Sequence, residues 1–279
     1  MKRKTIQSKS RSDLTSHPRR KPPIKRVLVV IGIVLGVIVI GLAATLFVDR
    51  MGVAPVRDGQ ALPGGAVQAQ DGFTSAFILD AGSGKAVLID AGQDPDAKAI
   101  KAALAARNLQ PDDVVAILLT HGHNDHFDGV LAFPNATVMA MAADVPLVEG
   151  SEPRRSIFSS LLGASPTGVH VGHVLADDES LTLGRLQVRV FAVPGHTAGS
   201  AAFLVDEVLY LGDSADSGTD GTLRPAFWFV SEDTALNVAS LKALTARLNS
   251  SPGEVKYLTF SHSGALKGFG PLTAFAAAH

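Results

Sequence analysis

The histidine-rich segment at residues 120–129, Thr-His-Gly-His-Asn-Asp-His-Phe-Asp-Gly, constrains the fold of this chain more than any other feature. It holds three of the nine histidines and follows a short apolar run, 114–119, that is typical of a buried strand. Histidines can also cluster by chance on a solvated loop, or hydrogen-bond to one another in a core. Both alternatives are unfavourable, because packed imidazoles repel one another when protonated and need partners when buried. We therefore interpret the segment as a metal site at the end of a strand, with ligands from His121, His123, Asp125 and His126.

An uncharged stretch near the N-terminus predicts a transmembrane helix. Residues 27–48 are 22 residues without a charge, and at about 1.5 Å per residue they cover the roughly 30 Å hydrocarbon core of a bilayer. Residues 1–26 carry ten Lys or Arg and a single acid, which predicts a basic cytoplasmic tail and an extracytoplasmic body. A cleaved signal peptide is one alternative, although its apolar region is usually only about 7–15 residues. A buried soluble helix is the other. We expect a single-pass protein whose helix anchors it in the lipid bilayer.

The rest of the chain is acidic, with 15 basic and 25 acidic residues beyond position 26. Phosphate contacts need a basic surface, so we do not expect nucleic acid as a partner. The chain also has no cysteine, which removes thiolates from the candidate metal ligands.

Periodicity predicts a linker followed by one α/β domain. Residues 49–70 contain Gly, Pro and scattered polar residues and are predicted to form the linker, with the domain at 71–279. Helices are expected at 96–109 and 233–248. Strands are expected at 73–79, 85–89, 114–119, 136–141, 169–174, 181–183, 186–193, 201–205, 208–211 and 255–260. Two β-rich halves, each followed by helices, predict an α/β sandwich in which helices cover two packed sheets.

Three further strand ends carry metal-ligand side chains. His196 follows an apolar run in Val-Pro-Gly-His-Thr, Asp213 ends Leu-Tyr-Leu-Gly-Asp, and His262 lies in Thr-Phe-Ser-His-Ser-Gly. Singly, each is more simply explained as a capping or hydrogen-bonding residue. Four strand ends that all supply ligand types favour a shared site, because loops at strand ends are where rigid scaffolds place chemistry. The predicted metal ligands are His121, His123, Asp125, His126, His196, Asp213 and His262.

The order His-x-His-x-Asp-His, then Pro-Gly-His-Thr, Leu-Gly-Asp and a final histidine resembles the metallo-β-lactamase superfamily of metallo-hydrolases over residues 71–279. The resemblance implies a four-layer αβ/βα fold with metals at one edge of the sandwich. It implies that one metal is bound by His121, His123 and His196, and a second by Asp125, His126 and His262. It further implies that Asp213 bridges both ions and that Asp90 supports the ligands from behind. Asp90 and Thr197 are our candidates for hydrogen bonds that orient the imidazoles.

The ligand chemistry predicts a metal-dependent hydrolase. Imidazoles and carboxylates without thiolate suit two Zn²⁺ ions, with iron, manganese and cobalt as alternatives. Two such ions about 3.5–4 Å apart share a hydroxide and polarise the substrate. Within the superfamily that the chain resembles, Asp213 looks like the thioesterase, lactonase and phosphodiesterase branches. The resemblance therefore implies that the metal-bound hydroxide attacks an ester, thioester or lactone-type bond of a small molecule, and we expect Asp125 and Asp213 to be the catalytic carboxylates. The alternatives are a mononuclear iron sulfur dioxygenase of the same fold and a non-catalytic, membrane-anchored binding module.

Two segments are candidates for the substrate pocket. Phe227, Trp228 and Phe229 are expected to form an apolar wall beside the metals, and ordinary core is the alternative. Residues 150–168, with Arg154 and Arg155, are expected to form a loop over the site or a solvated loop. His170 and His173 are expected to be structural.

Overall fold

The computed structural model describes residues 24–152 and 165–279. The chain divides into two compact units, residues 1–49 and 50–279. Most of the predicted basic tail, and Arg154 and Arg155 of the predicted loop, lie outside the described residues.

One long helix, α1 (Ile24–Arg50), accounts for the described part of the first unit. Its segment Leu28–Arg50 has a mean hydropathy of 2.9 over the most apolar window, and none of that window is buried. Large apolar side chains are exposed along it, as at Ile40, which is 71% exposed. By length and composition this helix can cross a membrane, and a signal sequence near an N-terminus has the same properties. The predicted span, 27–48, lies within α1.

The second unit begins with a six-stranded mixed sheet. Its strands, in spatial order, are β1 (Val67–Asp71), β2 (Thr74–Gly82), β3 (Lys85–Ile89), β4 (Val114–Leu118), β5 (Thr137–Met141) and β6 (His173–Leu175). The first three pair antiparallel, and β3 through β6 pair parallel. The helices along this half are α2 (Lys98–Ala105), α3 (Asn124–Phe127) and α4 (Val145–Val148). The parallel strands all end at the same edge, which is where their following loops meet.

A second six-stranded sheet contains the later strands. Its spatial order is β14 (Leu266–Lys267), β13 (Tyr257–Thr259), β10 (Val208–Tyr210), β9 (Ala201–Val205), β8 (Leu186–Ala192) and β7 (Ser180–Leu183). A small hairpin of β11 (Ala215–Ser217) and β12 (Leu223–Pro225) stands apart from it. The later helices are α5 (Thr234–Leu248) and α6 (Gly270–Ala278).

Three apolar cores separate four layers, as the period-two alternation of the strands dictates. On β3, Leu88 belongs to the core that contains Ile100 of α2, whereas Val87 and Ile89 belong to the core between the two sheets. The third core packs the second sheet against α5 and α6, with Leu241 among its buried residues. The four-layer αβ/βα sandwich predicted from the sequence is confirmed.

Several boundaries differ from the prediction. The predicted linker, 49–70, is wrong at its C-terminal end, because residues 67–70 belong to β1 and pair with β2. The compact unit itself begins at Arg50 rather than at 71. The predicted strand 169–174 shortens to β6, because the backbone N–H groups of Val169 and Val171 donate to the side chains of Thr167 and Glu149 instead of to a neighbouring strand.

Candidate metal centre

The predicted ligands follow the ends of strands from both sheets. His121 lies three residues beyond β4, and α3 carries Asp125 and His126 one turn later. His196 follows β8, whereas Asp213 and His262 each follow their strand, β10 and β13, by three residues. The two sheets therefore supply the site jointly, and neither sheet contains it alone.

Three imidazoles, which we call the first trio, converge on one point: His121, His123 and His196. The Nε2 atom of His196 lies 3.2 Å from Nε2 of His121 and 3.0 Å from Nδ1 of His123. His121 and His196 are fully buried, and His123 is half-buried. The three ring nitrogens lie close enough together to bind one metal ion.

Asp125, His126 and His262 form a second trio beside the first. The Oδ2 atom of Asp125 lies 3.5 Å from Nε2 of His126 and 3.3 Å from Nε2 of His262. These three donor atoms also lie close enough together to bind one ion.

Asp213 lies between the two trios. Its Oδ1 is 3.4 Å from Nε2 of His126, and its Oδ2 is 3.0 Å from Nε2 of His262. The same Oδ2 lies 3.5 Å from Nε2 of His196, which belongs to the first trio. One carboxylate therefore reaches donors of both trios, which is the arrangement that the resemblance implies for a bridging ligand.

Outer hydrogen bonds fix the ring orientation of His121 and His126 through Asp90. The Oδ1 and Oδ2 atoms of Asp90 accept from the backbone N–H and the hydroxyl of Thr120, both at 2.8 Å. Since the Thr120 hydroxyl donates to Asp90, it accepts from Nδ1 of His121, at 3.1 Å. Nδ1 of His126 donates to Asp90 at 2.9 Å. Asp90 is buried and has a positive φ of 59°, a strained conformation that often marks a functional position.

Two further histidines, His262 and His196, are oriented by groups other than Asp90 and Thr120. Nδ1 of His262 lies 2.8 Å from the carbonyl oxygen of Phe73, which can only accept, so Nδ1 is the donor. Nδ1 of His196 lies 2.9 Å from the hydroxyl of Ser231, which donates to the carbonyl of Phe227 at 2.8 Å. Four imidazoles thus use Nδ1 for support and direct Nε2 into the site, as ligating histidines usually do.

This arrangement fits a cation. With Nδ1 protonated, the neutral rings of His121 and His196 direct lone pairs toward each other, so their 3.2 Å approach cannot be a hydrogen bond. Among the described residues, Nε2 of His126 and Oδ1 of Asp213 are buried polar atoms that face each other at 3.4 Å without the geometry of a hydrogen bond, and neither has another hydrogen-bond partner. Buried polar groups normally have partners, and a metal ion would satisfy both atoms.

The pKa values of the first trio are lowered, which favours neutral imidazoles. Burial, followed by repulsion from His126 and His196, lowers the pKa of His121 well below its ordinary value. Burial likewise lowers the pKa of His123 to about 3 and that of His196 to about 4. Neutral imidazoles retain the lone pair that metal binding requires.

The second trio and Asp213 carry opposite charges. Burial is the largest single effect and disfavours the charged imidazoles, but Asp213 and the other carboxylates together outweigh it. They raise the pKa of His126 well above its ordinary value and that of His262 to about 10. Burial also opposes ionisation of the acids, but these two histidines hold the pKa of Asp213 well below its usual range. Burial raises the pKa of Asp125, but His126 and His262 together outweigh it, so the pKa is lowered as well. A metal ion at this trio must displace protons from both imidazoles.

Thr197 supports the site differently from the prediction. Its hydroxyl donates to Asp144 at 2.6 Å rather than to an imidazole, and Ser231 is the residue whose hydroxyl contacts Nδ1 of His196. Asp144 also accepts from the backbone N–H groups of Gly122 at 2.7 Å and Gly199 at 2.8 Å. This buried carboxylate therefore ties the loop of His121 and His123 to the loop after His196.

Gly212 shows how closely the strand ends approach one another. It precedes Asp213 and has a φ of 55°, and a Cβ atom there would lie 2.5 Å from the hydroxyl oxygen of Thr120. Thr120 in turn contacts Asp90 and His121. A side chain at position 212 would displace the support of both trios.

A cleft of about 660 Å³ opens onto the site. Its wall includes Phe227, as predicted, whereas Trp228 and Phe229 are absent from the described lining. Trp228 packs edge-on against Phe227 at 6.4 Å and is 42% exposed. Phe73, which the prediction placed in a strand, lies in the β1–β2 turn, lines the cleft and stacks on His262 at 5.6 Å.

Sequence reasoning did not find Asp144, Ser231 or the cleft role of Phe73. Asp144 had one detectable signal, since it is an acid three residues beyond a predicted strand, in Met-Ala-Ala-Asp. Ser231 and Phe73 act through partners 35 and 189 residues away in sequence, so no local pattern identifies them. His170 and His173 pair with Glu149 and Glu179, at 3.0 and 2.7 Å, away from the site.

Comparison with known proteins finds a matching family and related hydrolases. The metallo-β-lactamase superfamily model matches residues 69–253. A hydroxyacylglutathione hydrolase of Cronobacter sakazakii is 31% identical over 202 residues, which are 65% of this chain and 69% of that protein. A hydroxyacylglutathione hydrolase of Xanthomonas axonopodis pv. citri is 35% identical, but the match spans 50% of this chain and only 45% of that protein.

A solved structure shares the fold. The metallo-β-lactamase SMB-1, crystallised with 2-mercaptoethanesulfonate, matches with a TM-score of 0.59 and 24% identity, covering 82% of this chain and 95% of that one. This likeness concerns the fold alone. The family match and the hydrolase relatives identify the chain as a hydrolase that belongs to the metallo-β-lactamase superfamily.

Proposed function

We propose that this protein is a dinuclear zinc hydrolase whose preferred substrate is a thioester. The observation that carries the proposal is Asp213, whose two oxygens contact imidazoles of both trios while one of them has no hydrogen-bond partner. A single ion would leave the donor atoms of one trio without a cation to bind. The absence of cysteine and the seven nitrogen and oxygen donors suit zinc.

The proposal of a thioester substrate is based on the related proteins. Those named above are hydroxyacylglutathione hydrolases, so their name supports a thioester bond ahead of an ester or lactone. The chain spans about half the length of several of these relatives. We therefore carry over the type of bond and not the acyl group or the thiol.

When bound, two zinc ions supply a water of lowered pKa and polarise the carbonyl of the substrate. The residues of this chain supply position. His121 and His126 are oriented through Asp90, and His262 is oriented by the carbonyl of Phe73. Ligands that are held before substrate arrives do not have to reorganise during the reaction.

Asp125 is the candidate for moving a proton. It lines the cleft, and among the carboxylates of the site it is more exposed than Asp213, with side-chain exposures of 23% and 10%. A carboxylate at the cleft wall can take a proton from water and return it to the departing thiolate. Its binding to a metal would keep its basicity low, so positioning rather than basicity is its main contribution.

We also propose the membrane arrangement that the charge pattern predicts. Residues 1–26 would remain in the cytoplasm, α1 would cross the bilayer once, and the hydrolase unit would be extracytoplasmic. The long apolar helix and the ten basic residues before it support this arrangement.

A substrate panel tests the proposal. The purified protein, loaded with zinc, is assayed against thioesters, esters, lactones, β-lactams and phosphodiesters, with a chelator and zinc re-addition as controls. We expect thioesters to be hydrolysed fastest, with activity lost in chelator and restored by zinc. Oxygen consumption with a single bound iron would instead identify a sulfur dioxygenase. Metal binding without turnover of any substrate would favour a binding module.

A further inference from the structure

We propose that Arg50 binds a carboxylate of the substrate, so that the preferred thioester carries a negative charge near its scissile bond. This inference rests on the proposed hydrolase function and adds the chemical class of its substrate. The evidence is the position, orientation and charge environment of the Arg50 guanidinium in the cleft.

Arg50 is fixed in place on the cleft wall. Its side chain is 36% exposed, and its Nη1 donates to Oδ2 of Asp216 at 2.7 Å. The guanidinium carbon also lies 5.3 Å from the centre of the Phe227 ring, so the cation packs over an aromatic face. A guanidinium has five N–H donors in a rigid plane. Because the Asp216 hydrogen bond uses Nη1, the guanidinium has further N–H groups that can donate to a second acceptor.

The charges of the cleft single out this residue. The cleft wall contains four carboxylates, from Asp125, Asp128, Asp213 and Asp216. Within the described ranges, 24–152 and 165–279, Arg50 is the one Lys or Arg that lines it. Two divalent ions, when bound, would offset the four carboxylates, so that an anionic group could enter the cleft. Arg50 is the group on its wall that is shaped to bind a carboxylate.

The rest of the wall is apolar. Phe73, Phe227 and Val230 line the same cleft as Arg50. These side chains suit the hydrocarbon part of an acyl group. The cleft therefore combines an apolar wall with one cationic group, which matches a thioester that carries both an apolar acyl chain and a carboxylate.

A matched substrate pair tests the assignment. S-butyryl mercaptoacetate carries a carboxylate on the thiol, and S-butyryl mercaptoacetamide replaces it with a neutral amide of similar size. We expect the wild type to prefer the carboxylate in kcat/KM, and Arg50→Gln to reduce this preference about tenfold or more. The control is Arg57→Gln, because Arg57 is an exposed arginine that is absent from the described cleft lining. It should keep the wild-type preference.

A second variant separates binding from folding. Arg50→Gln alone leaves the buried Asp216 without its partner, which can destabilise the protein. The double variant R50Q/D216N removes both charges and should fold while still lacking the preference. Binding is measured without turnover by titrating the fluorescence of Trp228, the only tryptophan. The ligands are 2-(butylsulfanyl)acetate, a thioether that cannot be hydrolysed, and its amide.

The outcomes distinguish the two proposals. In one outcome, the wild type hydrolyses neither thioester and still binds 2-(butylsulfanyl)acetate more tightly than its amide, with Arg50→Gln abolishing the difference. That result would contradict the proposed thioester hydrolase function and support the carboxylate site at Arg50. If Arg50→Gln and the double variant keep the wild-type preference, both in hydrolysis and in binding, the assignment of Arg50 is overturned.

Discussion

The Asp144 carboxylate accepts a 2.6 Å hydrogen bond from the hydroxyl of Thr197, although 53 residues separate the two. The same carboxylate accepts from the backbone of Gly122, which lies between His121 and His123. One buried acid therefore sets the spacing of the two loops that carry the first trio. Asp144 itself is absent from the described lining of the cleft.

Substitution of Asp144 should weaken the first metal selectively. Asp144→Asn replaces one acceptor oxygen with a donor that faces an N–H or O–H group, so the loops must shift. We expect the affinity of the first trio for zinc to fall about 10- to 100-fold and the second trio to change less. Asp144→Ala leaves the buried N–H groups of Gly122 and Gly199 without their acceptor, whereas the Thr197 hydroxyl can still donate to Ser200. The variant should lose several kcal/mol of unfolding free energy, on the order of 1–3 kcal/mol for each unpaired group.

Competition with a chromophoric chelator measures both affinities, and thermal unfolding measures stability. The matched control is Asp177→Asn, which also removes a carboxylate that accepts from a backbone N–H, that of Ala192. It should lower stability without changing zinc affinity. Equal losses at both metal positions in Asp144→Asn would show that Asp144 acts on general stability and not on the first trio.

Zinc binding should release protons at the second trio and not at the first. The raised pKa values keep His126 and His262 protonated at pH 7.5, whereas the lowered values leave the first trio neutral at that pH. Filling the second trio therefore releases up to two protons, and its affinity rises with pH toward the pKa of about 10 of His262. Affinity at the first trio should stay flat in the neutral range and fall only near pH 4, the pKa of His196.

Isothermal titration in two buffers of different ionisation enthalpy at pH 7.5 counts these protons. We expect one binding phase whose heat is independent of the buffer and one whose heat changes with it. Two phases without any buffer dependence would contradict the charge assignment of the second trio.

Much of this site was predictable because it follows local patterns. The strands 85–89 and 201–205 match β3 and β9 as predicted, and the helix 233–248 matches α5 with Asp233 as its N-cap. Buried strands and a capped helix leave signals within a few residues. The order of ligands after strand ends is likewise a local signal, and the structure brings all seven together.

The missed elements have no such signal. Three of the five residues of β1, Val-Gln-Ala-Gln-Asp, are polar, and the strand forms by pairing with β2, where the buried Gln68 hydrogen-bonds to Ser75 at 3.0 Å. The helix α6 begins with Gly-Pro, which is typical of a turn, although proline is favourable in the first turn of a helix. The supporting residues Asp144 and Ser231 depend on tertiary contacts that only the folded chain creates.

Removal of residues 1–48 should release the protein from membranes. The full chain should sediment with membranes after a high-salt wash and dissolve only in detergent, because α1 has no charge between 27 and 48. The truncated chain should stay soluble. External protease on intact spheroplasts should digest the hydrolase unit of the full chain. Protection from protease would reverse the predicted orientation, and membrane retention of the truncated chain would require a second anchor.

The metal content of the purified protein tests the central claim most directly. Two zinc ions per chain are expected for the wild type, and one for His262→Ala, which keeps the first trio intact. His173→Ala, a surface histidine paired with Glu179, should keep both ions. Asp213→Ala should lose most of both, because two cations a few ångströms apart would then lack the shared negative charge. A wild-type protein that binds no metal, or a single ion unaffected by Asp213→Ala, would contradict the account.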